Sequence, residues 1–420
     1  MIQSRKSAGA PTLMSPLGVI VAIVLVDLLG FTIVMPLLGP FAKEFALPGW
    51  QVGLLFSAYP MCQLVAGPIL GRMSDRYGRR PILIASQFGT AVSFLMLGLA
   101  NDFPTMFLAR MLDGASGGNI LVAQAYVADV TSRENRARGL GLIGMAFGIG
   151  FVLGPLLGGL LLMAPLPLWW RIRLPFLVAA GFSVLALLLV VEYLPESLPS
   201  REELLVPSRV LSWHGLLETV KHPAIGRLVG VGFLVTLAFA SLEGTYSLYL
   251  RERMGWDARG AAFAFVFLGL VSAVVQGGLI RRLVPQYGES RLIVIGIATT
   301  ALGMALLARA SGVFLLLLAT LLVALGQGLV SPTISGLLSR VTPPNEQGSI
   351  FGTLSSSQTL ARMISYSASN ILFARVAISA PYWQAFGIDL LALALAVLTI
   401  RRLERPALEA VVAETAARGG

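Results

Sequence analysis

Long apolar runs recur down the whole chain, near 17–38, 51–71, 81–100, 104–127, 138–162, 174–193, 226–249, 260–280, 291–309, 313–336, 349–372 and 382–400. Each approaches the roughly 20 residues that an α-helix needs to cross the hydrocarbon of a bilayer. Hydrophobic residues fill 56% of the 420 positions and charged residues 12%, about half the charged share of a soluble domain. No water-soluble core could hide that much apolar surface, so most of the chain is solvated by lipid. The expectation is an all-α membrane protein with twelve transmembrane helices. The first run, behind Arg5 and Lys6, is too long for a signal-peptide core and no small-residue cleavage site follows it, so it reads as a retained span.

The net charge is +10. With both termini cytoplasmic, 21 of the 31 Lys and Arg residues fall on inner segments, 8 on outer loops and 2 inside spans, the bias that orients membrane proteins. That accounts for the basic balance without nucleic acid, and no basic run with interleaved aromatics lies outside the spans. Arg251, Arg253 and Arg259 run against the bias, accompanied by Glu252 and Asp257. Cys62 is the single cysteine, which excludes an intrachain disulfide. His214 and His222, both in the middle loop, are too few for a zinc site. No Walker loop and no nucleophile–base pair is present, so neither an enzyme nor a cofactor or metal is expected.

The longest polar stretch, 195–223, divides the chain near its middle and carries Pro195, Pro199 and Pro207. Within it Leu211, Leu216, Leu217 and Val220 keep helical spacing beside Trp213, which suggests a short surface helix. The expected organisation is an N-terminal six-helix bundle over 1–194, a cytoplasmic linker over 195–223, and a C-terminal six-helix bundle with a cytoplasmic tail over 224–420. The second half reads as a copy of the first. Gly67, Arg72, Tyr77 and Gly78 meet Gly277, Arg282, Tyr287 and Gly288 at a shift of 210 residues. Six spans per copy keep the same orientation, which places a substrate path between the halves.

The segment Gly71-Arg-Met-Ser-Asp75-Arg76-Tyr-Gly78-Arg79-Arg80 combines glycines for a tight turn with an acid able to pair with Arg. Its arginines hold the loop at an anionic leaflet. If these charges only set topology, Asp75 has no purpose. The segment closely resembles the loop between helices two and three of the major facilitator superfamily. That resemblance implies that Asp75 belongs to a cytoplasmic latch between the halves, and Pro285 stands in its place in the second copy. In the fifth run, Gly144, Gly148, Gly150, Gly154, Pro155, Gly158 and Gly159 put small residues four apart for close helix contact. Pro155 can kink the helix there. This resembles the Gly-Pro-x-x-Gly-Gly motif of superfamily exporters that exchange drugs for protons, and packing alone explains it equally well.

Charged groups deep in a span are costly and usually functional. Asp27 lies in the first run, before Gly30 and Pro36. Arg110 and Asp113 lie in the fourth, before Gly114, Gly117 and Gly118. At about 1.5 Å per residue, both acids fall near the midplane, with Arg110 on the face of Asp113. Such a cluster can load and release a proton, or it is a static ion pair holding helices one and four. Glu243 and Arg362 sit at similar depths in the second half and can pair. The run from Asp27 to Gly159, with Ala125-Tyr-Val-Ala-Asp129-Val-Thr, Arg136-Ala-Arg138-Gly and Glu243-Gly-Thr-Tyr, resembles the tetracycline-exporter-like branch of twelve-span drug:proton antiporters. Ser365 and Tyr366 replace the Gly-Pro common in that branch after the Arg of helix eleven. Gln63, Asn119, Gln124, Tyr246, Gln276, Gln327 and Gln358 are candidate cavity groups that would serve as readily in interhelical hydrogen bonds. Trp169 and Trp170 read as interface anchors.

The expected function is a secondary active transporter working by alternating access. Asp27, Arg110, Asp113 and Glu243 would couple entering protons to export of a small apolar or cationic compound. A monomer in a bacterial inner membrane is expected. The rival readings are a metabolite, sugar or siderophore permease of the same fold, and a membrane sensor or assembly partner that transports nothing.

Overall fold

The computed structural model describes residues 15–131, 136–198, 223–342 and 347–418. The surface helix expected within 211–220 lies outside them. Helices follow the apolar runs: α1 (Pro16–Glu44), α2 (Gly49–Tyr77), α3 (Arg79–Leu99), α4 (Phe103–Ser116), α5 (Asn119–Val130), α6 (Arg136–Leu161), the short α7 (Leu168–Arg171) and α8 (Leu174–Tyr193). The second half has α9 (Pro223–Met254), α10 (Ala258–Val274), a π-helical turn (Val275–Leu279), α11 (Ile280–Arg309), α12 (Val313–Val341), α13 (Gln347–Arg375) and α14 (Ala380–Arg418). Local chemistry sets several starts. The side chains of Ser15, Asp102 and Asp257 accept from the N–H of Gly18, Thr105 and Gly260, at 3.2, 2.8 and 3.0 Å, each satisfying a donor left open in a first turn.

Nine helical stretches among the described residues are long and apolar enough to span a bilayer. One of them, Ala258–Arg309, runs 52 residues and contains two legs, because Gly288 breaks it at φ 74°. The fourth apolar run, expected to be one helix, is two short ones broken at Gly117–Gly118. With α13, which is more polar, these elements are consistent with twelve crossings. Helices α1–α8 pack on one another, as do α9–α14. The two groups meet chiefly through α2 on α13 and α6 on α10.

The halves repeat each other in detail. Gly78 ends α2 at φ 105°, and Gly288, its counterpart, turns the chain at φ 74°. After Gly78, Arg79 Nε donates to Asp129 at 2.9 Å, tying the start of α3 to the end of α5. After Gly288, Glu289 forms an ion pair with Arg340 at 3.1 Å, tying the second leg of α11 to the end of α12. The same bridge is present in both copies with its charges exchanged.

The end of the bundle carrying Gly78 and Gly288 is called the near face, and the opposite end the far face. At the far face the halves are closed. Gly49 and Gly53 of α2 lie so close to Ala374, Asn370 and Ser367 of α13 that a Cβ at Gly49 would fall 2.3 Å from that of Ala374. Ser57 Oγ donates to the Met363 carbonyl at 2.8 Å and lies 2.8 Å from Ser367 Oγ. Lys43 bridges to Glu252 at 3.3 Å and Arg251 to Glu44 at 3.6 Å. Towards the near face, Gly141, Gly144 and Gly148 of α6 and Gly277 and Gly278 of the π-helical turn border open space.

Candidate coupling and cargo site

Two polar clusters lie in the middle of the bundle, one in each half. In the first, Arg110 Nη1 donates to Asp113 Oδ2 at 2.6 Å on α4, and the two residues are only 2% and 3% exposed. Arg110 Nε also points at the Leu55 carbonyl at 3.4 Å, and its guanidinium lies over the Tyr59 ring, 5.0 Å from the centroid. Asp27 of α1 accepts from Asn119 Nδ2 through both oxygens, each at 3.3 Å. Asp27, Asp113, Asn119, Tyr59, Phe31 and Thr90 all border one small cavity. The two carboxylates thus border one cavity together with Asn119 and Tyr59, and Arg110 joins them through its pair with Asp113.

The break in the fourth span builds this cluster. A Cβ at Gly114 would fall 2.2 Å from the Tyr59 carbonyl oxygen, so only glycine lets α2 and α4 approach this closely. The helix then opens at Gly117–Gly118 and restarts at Asn119, which presents its amide to Asp27. Gln63 supports the break: its Nε2 donates to the Gly117 carbonyl and to the Tyr59 hydroxyl, both at 3.0 Å. An unpaired carbonyl at this depth would otherwise cost free energy.

In the second cluster, Glu243 of α9 accepts from Arg362 Nε at 3.4 Å and from the Tyr366 hydroxyl at 2.9 Å. The Glu243 side chain is 7% exposed, whereas that of Arg362 is 40% exposed. Ser365 Oγ donates to the Leu237 carbonyl at 2.7 Å and lies 3.0 Å from Ser241 Oγ. The Ser365–Tyr366 pair, a departure from the resembled pattern, thus holds α13 against α9 and orients the acid. Tyr366 also faces Phe56 of the first half, with ring centroids 5.6 Å apart, so the two clusters approach each other across the halves.

Other expected residues fall elsewhere. Tyr246 is fully buried within the second half, with its hydroxyl 2.5 Å from Thr320 Oγ1 and its ring against Phe265. It is a packing residue there rather than a cavity group, because its polar tip is used up inside its own bundle. Gln124 is exposed, and Gln276, Gln327 and Gln358 join neither cluster. The glycine stripe of α6 divides. Gly150 lies against Leu28, Gly154 against Thr32 and Ile33, and Gly158 against Ile33 and Leu37, while Gly159 faces Ala262 of the other half. Thr32 Oγ1 donates to the Gly150 carbonyl at 2.8 Å, and Pro155 is buried beside Gly154. Gly144 and Gly148, expected to pack closely, meet nothing within 4 Å.

At the near face Arg79 gathers the signature loop. It bonds to Asp75, to Ser74 Oγ at 2.7 Å and to Asp129. Glu196, which sequence reasoning passed over, accepts from the backbone N–H of Arg79 at 2.9 Å and of Arg80 at 3.1 Å, capping α3. Arg80 reaches the Val191 carbonyl at 2.5 Å, and Arg76 lies over the Tyr77 ring. Of these partners of Arg79 and Arg80, Ser74, Asp75, Asp129 and Val191 belong to the first half, and Glu196 lies just after it. Gly71 has open space around it. Asp389 of α14 was also missed: it is fully buried and neither carboxylate oxygen has a hydrogen-bond partner.

Comparison with known proteins places this arrangement. The profile described as Major Facilitator Superfamily matches residues 20–287 and 279–418. A "Tetracycline resistance protein, class H" of Pasteurella multocida is 28% identical over 375 residues, 87% of this chain and 90% of that protein. The class G protein of Vibrio anguillarum is 31% identical, over 81% of this chain and 86% of that one. Among solved structures, the human organic anion transporter MFSD10 superposes with a TM-score of 0.69 at 27% identity, over 90% of this chain and 98% of that one.

Proposed function

The chain belongs to the Major Facilitator Superfamily, and from that premise we propose that it exports a small molecule in exchange for protons across a bacterial inner membrane, with both termini cytoplasmic. In that orientation the near face is cytoplasmic, and the conformation described above is closed to the outside. The halves, 1–194 and 224–420 about the linker 195–223, rock to open each side in turn. The relatives bearing tetracycline-resistance names favour a drug-like cargo.

One observation carries the coupling assignment: Asp27, held by Asn119, shares a cavity with Asp113, the ion-pair partner of Arg110. Asp27 can exchange its proton with water on either side as the halves move, while Arg110 decides how much negative charge the cavity tolerates. Glu243, clamped by Arg362 and Tyr366, is the corresponding acid of the second half. The latch of Asp75, Arg76, Arg79 and Arg80 would engage the second half when the cytoplasmic mouth closes. The test is a reconstituted protein with a pH-sensitive dye inside the vesicles. Cargo addition moves lumenal pH for the native protein and not for Asp27→Asn. Full gradient-driven flux in Asp27→Asn would overturn the assignment.

A second reading concerns the cargo. Arg362 is the exposed member of its pair while Glu243 is buried, so the second half offers the cavity a cation. That favours a compound with an anionic group, in line with the organic anion transporter of similar structure. Competition by organic anions against organic cations in the same vesicles separates the two.

A further inference from the structure

A cavity of about 290 Å³ opens at the far face, away from both clusters and between the two halves. Leu37, Phe41, Leu162, Leu168, Ile172 and Trp256 give it an apolar floor, and three arginines, Arg171, Arg251 and Arg259, stand against two carboxylates, Glu44 and Asp257, at its edge. Arg251 is paired with Glu44 at 3.6 Å and Arg259 with Asp257 at 2.6 Å. Arg171 forms no ion pair among the described residues. Asp257 is ionised: partial burial pushes its carboxyl up, but the Gly260 N–H and Arg259 together hold it below its ordinary value.

The level of the cavity identifies what it meets. Trp169 and Trp170, beside Arg171, are 49% and 50% exposed, as expected of indoles lodged at a lipid headgroup boundary. An apolar floor opening at that depth faces acyl chains, and a surplus guanidinium at its edge faces phosphates. We propose that this cavity binds one anionic phospholipid of the far leaflet. Its phosphate engages Arg171, with Arg251 and Arg259 as neighbours, and one acyl chain lies along the floor. A planar guanidinium suits phosphate oxygens, which it can grip in pairs. Walls come from α1, α7 and Ile172 just after it in one half, and from α9, α10 and the loop between them in the other. A lipid seated there bridges the halves only while the far side is closed, so it holds the transporter open towards the near face. The inference does not depend on which cargo is carried or on proton coupling.

The test uses the full chain in neutral detergent micelles. Phosphatidylglycerol raises the melting point by binding the folded and not the unfolded chain, and phosphatidylcholine or inorganic phosphate does not. Arg171→Gln weakens the phosphatidylglycerol effect about five-fold, the expectation for one cation at an anionic headgroup. Arg171→Lys keeps more than half of the effect, and Arg375→Gln, at the far end of α13, keeps all of it. Photo-crosslinking the native protein with a diazirine-bearing phosphatidylglycerol labels Leu168 and Trp256. Equal stabilisation by phosphatidylcholine, stabilisation by phosphate alone, an unchanged response in Arg171→Gln, or labelling that avoids both residues would each overturn the proposal. The crosslink reads the native chain, so it decides the matter even if Arg171→Gln does not fold.

Discussion

Removing Asp113 alone should damage this protein far more than removing Asp113 and Arg110 together. The two side chains meet at 2.6 Å with almost no exposure. Asp113→Leu strands a guanidinium that cannot give up its proton, and breaking a buried pair from one side costs about 3–5 kcal/mol. In Arg110→Met/Asp113→Leu neither charge of the pair is left stranded, and apolar replacement of such a pair is often neutral. Set against that, Arg110 also lies over the Tyr59 ring at 5.0 Å, and losing that contact costs about 1 kcal/mol. The double variant is therefore expected within about 1–2 kcal/mol of the native protein, and the single variant at least about 3 kcal/mol below it. Denaturant titration in mixed micelles reads both. Proteoliposome flux supplies the second half of the experiment: the double variant, although stable, should not move cargo against a proton gradient. If it is as unstable as Asp113→Leu, the stranded charge is not what the single variant suffers from. If it is stable and pumps normally, the pair is structural only.

Gly154→Ala should lose about 1–3 kcal/mol, the usual range for overpacking, because its new Cβ meets Thr32 Oγ1 at 1.9 Å. Gly144→Ala, which meets nothing, should melt with the native protein, and equal losses at both sites would contradict the division of the α6 stripe. Arg340→Glu should weaken the near end of the second half by no more than about 1 kcal/mol, since Arg340 is 68% exposed. Glu289→Arg/Arg340→Glu should recover that loss in thermal melts, and failure to recover would mean that the bridge has no part in holding the two helices.

Crossing helices were legible because hydropathy and length act locally, and every apolar run became helix. The break at Gly117–Gly118 was not, because its apolar neighbours run on without interruption. What lets the helix open is Gln63, 54 residues away in sequence. Asp27, Arg110 and Asp113 announced themselves by charge at the wrong depth. Tyr366 did not, because a tyrosine is ordinary in a span and its acid lies 123 residues upstream. Tyr246 misled for the opposite reason: a polar tip in a span suggests a cavity until Thr320 is seen to occupy it. In the second copy of the signature loop Pro285 stands where Asp75 does in the first, so identity alone hides the correspondence. The structure preserved complementarity instead, with Glu289 at the place of Arg79 and Arg340 answering Asp129. Asp389 stands fully buried among the apolar residues of α14, and its position alone marks it as unusual.

Apart from Phe56 against Tyr366, the contacts described between α2 and α13 are made by glycine, serine, alanine and asparagine, so little oil is uncovered when the join parts. Each hydroxyl and amide released from the opposite helix can be taken over by an incoming water molecule, bond for bond. A zip of leucines would stick, since every opening would have to wet a greasy strip. This one can come undone and remake itself on every cycle at little thermodynamic cost, which a machine that must swing both ways requires.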